Sequence, residues 1–141
     1  MATYKGFNVW TEVMVEAANC GSDSWTLALT NAAPTVATDT TIVSELANSN
    51  GYATGGAALS ISASAQTAGV YKLTLTIPSP TWTSNTGNMG PFRYVILYNS
   101  TRSQCAAYWD YGVGGVTLNG VNGDTFTVTV AAEVFSITTP T

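Results

Sequence analysis

Histidine is absent from this chain of 141 residues, and charged residues make up only 9% of it. The lack of histidine removes the commonest general base and metal ligand, and with it every Ser-His-Asp or Cys-His arrangement. The two cysteines lie far apart, which excludes a structural zinc site. The stretches NGYATGG and GVGGV precede neither a helix nor a Lys-Ser/Thr pair, so neither is typical of a phosphate loop. We therefore expect no catalytic residues, no metal site, no cofactor and no enzymatic activity.

Positive charge is scarce, with four Lys and Arg residues against eight Asp and Glu residues and a net charge of -4. Such a chain lacks the basic surface that binds a phosphate backbone, so we expect no nucleic-acid partner. No apolar run reaches the roughly 18 residues of a membrane span, and we expect no membrane association. The N-terminal stretch MATYKGFNVWTEV has no basic start and no uninterrupted apolar core, which indicates synthesis in a cytosol.

Cysteine is limited to Cys20 and Cys105. One disulfide between them is a possible interpretation, but synthesis in a cytosol favours free thiols. Cys105 also stands where a small buried apolar side chain would fit a strand.

Hydroxyl, amide and small side chains take the place of charge in this sequence, which is rich in Thr, Ser, Ala, Asn and Gly. In cytosolic enzymes about a quarter of all residues are usually charged. The low charge of this chain therefore favours a protein of an assembly or of the cell exterior. The length is that of one domain, and we predict a single β-rich domain over residues 1–141.

The most informative stretch runs from Gly90 to Gly112 and reads GPFRYVILYNSTRSQCAAYWDYG. Its two apolar and aromatic runs, 92–98 and 104–111, are separated by five polar residues, which predicts a β-hairpin. Pairing around that loop brings Arg93 and Asp110 together. Because an unpaired buried charge is very costly, we predict a buried or half-buried ion pair between them, with a structural role.

One amphipathic helix is predicted from Phe7 to Ala18, ended by Gly21. A helical turn over 40–47 is a weaker prediction, with Asp39 or Thr40 as its cap. Alternating patterns predict strands at 25–29, 57–65, 69–77, 116–118, 124–130 and 134–137, with a short extended piece around Trp82. We predict a mainly β fold, an antiparallel β-sandwich or barrel of about seven to eight strands over 22–137 with one short N-terminal helix. Residues 1–20 form a helical segment that is a possible attachment arm.

Several carboxylates have a chemical and a structural interpretation. Asp124, preceded by Asn119 and Asn122, faintly suggests a calcium loop, although a hairpin turn explains the same residues. A glycosidase would need two facing carboxylates, for which Asp110, Asp124 and Glu133 are the candidates in the later part of the chain. Glu12 and Glu16 lie one helical turn apart, and a solvated helix face explains them.

Aromatic residues cluster at Trp82, Tyr108, Trp109 and Tyr111. If exposed, Trp82, Trp109 and Tyr111 could stack on sugar rings. Strand alternation sends Tyr108 to the opposite face from Trp109 and Tyr111, so core packing is the favoured interpretation of at least half of the cluster.

The ordered segments SDSWTLALTNAAP, NGYATGG, PTWT, GPFRYVILYN, AYWDYG and NGDTFTV resemble a family of small proteins of tailed bacteriophages, encoded among virion structural genes. The most specific pieces are RYVILYN and YWDYG, and the resemblance runs from about Asp23 to Ile137. It implies a virion structural protein, most plausibly a decoration or cement protein on the capsid exterior that is made in the host bacterial cytoplasm. The implied partner is the major capsid protein.

A protein that binds a repeated capsid site can gain avidity by oligomerising, so we predict a homo-oligomer, with a trimer favoured over a dimer. Phe7 and Trp10 on the N-terminal helix are candidate capsid contacts, and packing on the domain's own sheet is the alternative. Two other functions stay open. One is a carbohydrate-binding or host-adhesion module on the virion that uses the aromatic cluster, and the other is a neck or tail component.

Overall fold

The computed structural model describes residues 2–79, 81–129 and 135–138, and in them the chain is mainly β with one short helix. The elements are β1 (Thr3–Gly6), α1 (Asn8–Glu16), β2 (Trp25–Thr30), β3 (Ala57–Thr67), β4 (Val70–Thr76), β5 (Trp82–Thr83), β6 (Met89–Phe92), β7 (Tyr94–Asn99), β8 (Gln104–Asp110), β9 (Val116–Leu118), β10 (Thr125–Phe126) and β11 (Phe135–Thr138). The predicted fold class is thereby confirmed.

Seven of these strands form one curled antiparallel sheet in the order β1-β8-β7-β2-β3-β4-β11. The remaining strands form two small pairs, β10 with β5 and β6 with β9. The N-terminal and C-terminal strands of the described chain are therefore the two edges of the main sheet. Among the described residues, no helix is long and apolar enough to cross a membrane.

Three adjacent strands of the main sheet, β8, β7 and β2, supply most of the core. Trp25, Leu27 and Leu29 alternate along β2 on one face, and the residues between them are buried or half-buried on the other. In β7 the four residues from Tyr94 to Leu97 are all buried. Strands covered on both faces read as continuous runs of β-branched and aromatic residues, which is why this part of the sequence predicted the hairpin correctly.

The hairpin starts later than the sequence predicts. Phe92 belongs to β6, which pairs with β9, and β7 begins only at Tyr94. Arg93 separates the two strands, and its N–H donates to the carbonyl of Thr30 at 3.1 Å. Pro91 lacks an N–H, so a continuous strand through 91–94 would lose a ladder hydrogen bond.

The helix is shorter than predicted and does not end at a glycine. Phe7 is its N-cap, α1 ends at Glu16, and the N–H groups of Ala17 and Ala18 both donate to the carbonyl of Val13. Residues 40–47 form no helix. They form an extended loop that bridges to β2 through Thr30 and Glu45. The run Thr40-Thr41-Ile42-Val43 is β-branched, which disfavours a helical turn.

The predicted strand pair after residue 56 is present as β3 and β4, joined by a tight turn at Ala68 and Gly69. Trp82 is buried in the short strand β5, and β9 has the predicted bounds. The predicted strand over 124–130 is reduced to β10, and its last residue lies outside the described residues, as does Val134. Strand β1 had no prediction, because a four-residue strand that contains Lys5 and Gly6 gives no periodic signal.

Candidate functional site

The structure joins Arg93 and Asp110 in a bidentate ion pair. Arg93 Nε donates to Asp110 Oδ1 and Nη2 donates to Oδ2, both at 2.7 Å. The side chains are 31% and 25% exposed, so the pair is half-buried at the end of β8. The hydrogen bonds from Arg93 lower the pKa of Asp110 to about 2. Arg93 also lies over the Tyr94 ring, 5.0 Å from its centroid, which adds a cation–π contact to a structural arrangement.

Phe7 and Trp10, the predicted capsid contacts, are buried in the chain's own core. They are 3% and 5% exposed. The Phe7 ring packs on Tyr108 with centroids 5.7 Å apart, and the Trp10 ring packs on Trp25 at 5.3 Å. The structure thus shows the other interpretation of these side chains, packing on the domain's own sheet, which leaves little of their apolar surface exposed for a partner.

The predicted sugar-stacking residues are also largely covered. Trp82 and Trp109 are 5% and 7% exposed. Trp82 lies between Tyr52 and Phe126, and Tyr4 packs over Trp109 with centroids 5.5 Å apart. The half-buried Tyr111 ring packs edge-on against Phe126. These aromatic residues form part of the core, as the favoured interpretation of the sequence expects, and the condition for sugar stacking, their exposure, is not met by Trp82 and Trp109.

A polar cluster that the sequence analysis did not predict joins Asp23, before β2, to Asn99 at the end of β7 and Arg102 in the loop after it. Asp23, 4% exposed, accepts hydrogen bonds at Oδ2 from Asn99 Nδ2 at 2.9 Å and from Arg102 Nε at 3.2 Å. Burial acts to raise the pKa of Asp23, but these hydrogen bonds outweigh burial and hold the pKa below its usual value. The partners are 76 and 79 residues from Asp23, a separation that no local pattern spans. The cluster ties the β7–β8 loop to the segment before β2.

The cysteines are free thiols in the structure. Cys105 is 1% exposed, and burial raises the pKa of its thiol to about 12. Burial is also the main cause that raises the pKa of Cys20. Both thiols are therefore poor nucleophiles at neutral pH.

The Asn119–Asp124 segment forms a hydrogen-bonded turn. Asp124 Oδ2 accepts from the N–H of Asn119 at 2.9 Å, and Asn119 Oδ1 accepts from the N–H of Val121 at 3.0 Å. The part of the chain that the structure describes contains no group of three side chains arranged as metal ligands. Glu133 and the side chains of Glu12 and Glu16 lie outside the described residues.

A cleft on the sheet surface brings together polar groups that the sequence did not single out. It has a volume of about 240 Å³, and its lining includes Thr26, Thr41, Ile42, Glu45, Gly55 and Tyr98. We call it the Glu45 cleft. Thr26 and Tyr98 are direct partners on β2 and β7, while Glu45 comes from the extended loop that covers this face of the sheet.

The carboxylate of Glu45 is held in place by two short hydrogen bonds. Its Oε1 accepts from the Tyr52 hydroxyl and from the N–H of Gly55, each at 2.6 Å. The Tyr52 hydroxyl in turn accepts from the N–H of Leu29 at 3.0 Å. Burial, followed by the contact with Glu45, raises the pKa of Tyr52, so this hydroxyl stays a donor to the carboxylate.

The outer part of the β3–β4 hairpin stands away from the core. Residues 62–67, which we call the outer β3 segment, read SASAQT and are all exposed. Their side chains point alternately to the two faces of the sheet; on one face Ser64 lies against the backbone of Gly21, and on the other face Ala63 and Ala65 are exposed. A register shift at Ser62 marks where the exposed part begins.

Comparisons of the chain with family models, with curated proteins and with solved structures found no match in any of the three.

Proposed function

We propose that this chain is a non-enzymatic structural protein of a tailed-phage virion, a decoration or cement protein that binds the outer capsid surface and stabilises it. The observation that carries the proposal is the outer β3 segment, whose residues are all exposed and which lies beyond the part of β3 that pairs with β2. The sequence resemblance to phage virion proteins gives the proposal its biological setting.

The outer β3 segment has one unpaired edge. On one side it pairs with β4, which in turn pairs with β11, but on the other side the pairing of β3 with β2 ends at Leu59. An unpaired strand edge presents N–H and C=O groups that can pair with another chain. Packing against a neighbouring subunit would cover this edge and stabilise the segment.

The side chains of the segment suit such a contact. Ser62, Ser64, Gln66 and Thr67 offer hydroxyl and amide groups, and two alanines allow close approach. Ser and Thr hydroxyls can donate and accept, so they form direct or water-mediated hydrogen bonds with many partners. Individually weak contacts of this kind hold a protein on a capsid when several copies bind together, which is why we propose a homo-oligomer, a trimer or a dimer.

The buried state of Phe7 and Trp10 changes the proposed mode of attachment. An amphipathic helix laid on the capsid would need those two side chains on its surface, and both lie in the core. We therefore propose the outer β3 segment as the contact in place of the helix. The major capsid protein or a second copy of this chain would cover it.

The test is the copy number of the protein in purified virions, measured by quantitative mass spectrometry against the major capsid protein. A ratio near one, or a simple fraction of one, is the expected result. A few copies per virion would assign the protein to the neck or tail, and absence from virions would overturn the proposal.

A matched pair of variants tests the contact. Ala63→Glu places a charge on the outer β3 segment, and Thr117→Glu places the same charge on an exposed residue of β9. We expect Ala63→Glu to fold but to be depleted from virions, while Thr117→Glu is incorporated normally. Equal incorporation of both would exclude the outer β3 segment as the contact.

A further inference from the structure

The Glu45 cleft contains a carboxylate whose charge has no cationic partner within the described part of the chain. Arg93 pairs with Asp110 and Arg102 pairs with Asp23, and neither reaches Glu45. Glu45 Oε1 is occupied by Tyr52 and Gly55, whereas Oε2 accepts no hydrogen bond from the described residues. One oxygen is thus fixed by the protein and the other is available to a ligand.

The rest of the cleft provides apolar and aromatic surface beside this carboxylate. The Ile42 side chain and the Tyr98 ring are half-buried and line the cleft. The exposed Thr41 also lines the cleft and carries a hydroxyl group. A ligand that fits all of these groups has an alkyl stem, a cationic head and more than one hydrogen-bond donor.

Basic side chains have this combination of properties. The alkyl stems of Lys and Arg pack on apolar surface while the charged head stays accessible to a carboxylate. Guanidinium and ammonium groups are attracted to tyrosine rings and form strong charge-assisted hydrogen bonds with carboxylates. A guanidinium has five N–H donors, enough to bond Glu45 Oε2 and a threonine hydroxyl together.

We propose that the Glu45 cleft binds a basic side chain, an arginine or a lysine, of the protein surface to which this chain attaches. The identity of that surface rests on the proposed function, under which it belongs to the major capsid protein. The net charge of -4 favours a partner with basic groups at the contact. In this arrangement the outer β3 segment supplies contact area and the Glu45 cleft supplies a specific anchor.

The binding of a basic side chain can be tested on the isolated protein. The probe is N-acetyl-L-arginine amide, and the control ligand is N-acetyl-L-citrulline amide, which has nearly the same shape without the charge. Both are titrated at constant ionic strength while amide chemical shifts are followed by NMR. We expect shifts for arginine at Thr41, Glu45, Gly55 and Tyr98, and at least tenfold weaker binding of citrulline, as the loss of a charged hydrogen bond of about 1.5–3 kcal/mol predicts.

Two variants, each of which removes one negative charge, test whether the arginine probe binds in the Glu45 cleft. Glu45→Gln removes the charge and keeps an oxygen that accepts from Tyr52 and Gly55, while Asp124→Asn removes the same charge at the Asn119–Asp124 turn, which does not line the cleft. Glu45→Gln should bind the arginine probe at least tenfold more weakly, and Asp124→Asn should bind it as the wild type does. Equal loss in both variants would show nonspecific charge attraction and overturn the proposal.

The unmodified protein gives a result that does not depend on how the variants fold. Shifts at the cleft of equal size for arginine and citrulline would overturn recognition of the charge. Shifts at the cleft for glucose or galactose in the absence of any for arginine would reassign it to a carbohydrate. Arginine binding by a protein that is absent from virions would support the cleft while refuting the capsid as its partner, so the two proposals fail separately.

Discussion

At the end of β8, the Asp110 carboxylate accepts hydrogen bonds from two nitrogens of Arg93 and from the N–H of Gly112 at 2.8 Å. One side chain at the end of β8 thus holds both Arg93, between β6 and β7, and the turn that follows β8. Hairpin pairing predicted this contact because both residues lie in one local unit, 17 positions apart. A charge pair that lies within one hairpin can therefore be predicted from the sequence alone.

Asp110→Asn should lower the melting temperature, because the amide cannot keep the charge-assisted bonds to Arg93. The pKa of Asp110 is lowered from 3.8 to about 2 in the fold, so the carboxylate stabilises the folded state above pH 3.8 and loses that effect as the pH falls through about 2. Thermal unfolding of wild type and variant at several pH values checks this. A melting-temperature difference that stayed constant down to pH 2 would contradict the ionic origin of the effect.

The contacts in the Glu45 cleft cannot be predicted from local sequence patterns. Thr26 and Tyr98 are 72 positions apart in the numbering and meet only because β2 pairs with β7. Glu45 belongs to a stretch that was predicted as a helical turn, which would have directed its side chain elsewhere. The same holds for Asp23 and Arg102, whose contact depends on two loops that no local pattern brings together.

At the scale of elements, the junction between β2 and β3 depends on one glycine. Gly56 has a positive φ of 76°, and a Cβ at this position would collide with the carbonyl of Leu27. The backbone of β3 therefore approaches β2 so closely that only hydrogen fits. The neighbouring Gly55 also has a positive φ, of 98°, but a Cβ added at this position would have no other part of the protein within 4 Å.

This difference provides a matched pair of substitutions. Gly55→Ala should cost about 1–2 kcal/mol for the left-handed backbone alone. Gly56→Ala should cost clearly more, since it adds a collision with backbone atoms that cannot move without separating β2 from β3. Denaturant unfolding of the two variants measures both free energies. Equal losses would show that β3 can shift away from β2 without penalty.

Elements were predicted well where their pattern was long or strictly alternating. Strands β3, β4 and β8 and the buried part of β7 follow alternation or continuous burial, and the sequence located them within a few residues. Strand β1 is specified by its pairing with β8, from Thr3 opposite Asp110 to Gly6 opposite Ala107, and not by its own composition. Whether such a short edge strand forms depends on its pairing with a neighbouring strand and not on its own residues.

At the scale of the whole molecule, stability should be uneven across the sheet. Strand β7 is covered on both faces, whereas every residue of the outer β3 segment is exposed. Local opening requires little free energy where few apolar contacts are broken. The same part of the molecule is the proposed contact with neighbouring subunits.

Hydrogen exchange tests this relation directly. In the isolated protein, amides of residues 62–67 should exchange much faster than those of β7. In purified virions the exchange at 62–67 should slow by at least tenfold, while that of β7 stays slow in both samples and serves as the internal control. Unchanged exchange at 62–67 in a virion that contains the protein would place the contact on another surface.

The order of strands in the main sheet also determines when the molecule can be completed during synthesis. Strand β1 is synthesised before its partner β8, which lies about 100 residues later in the chain. At the usual 5–20 residues per second, β1 waits roughly 5–20 s for that partner. Long-range pairings of this kind slow folding, so β1 stays unpaired in the nascent chain until β8 has been synthesised.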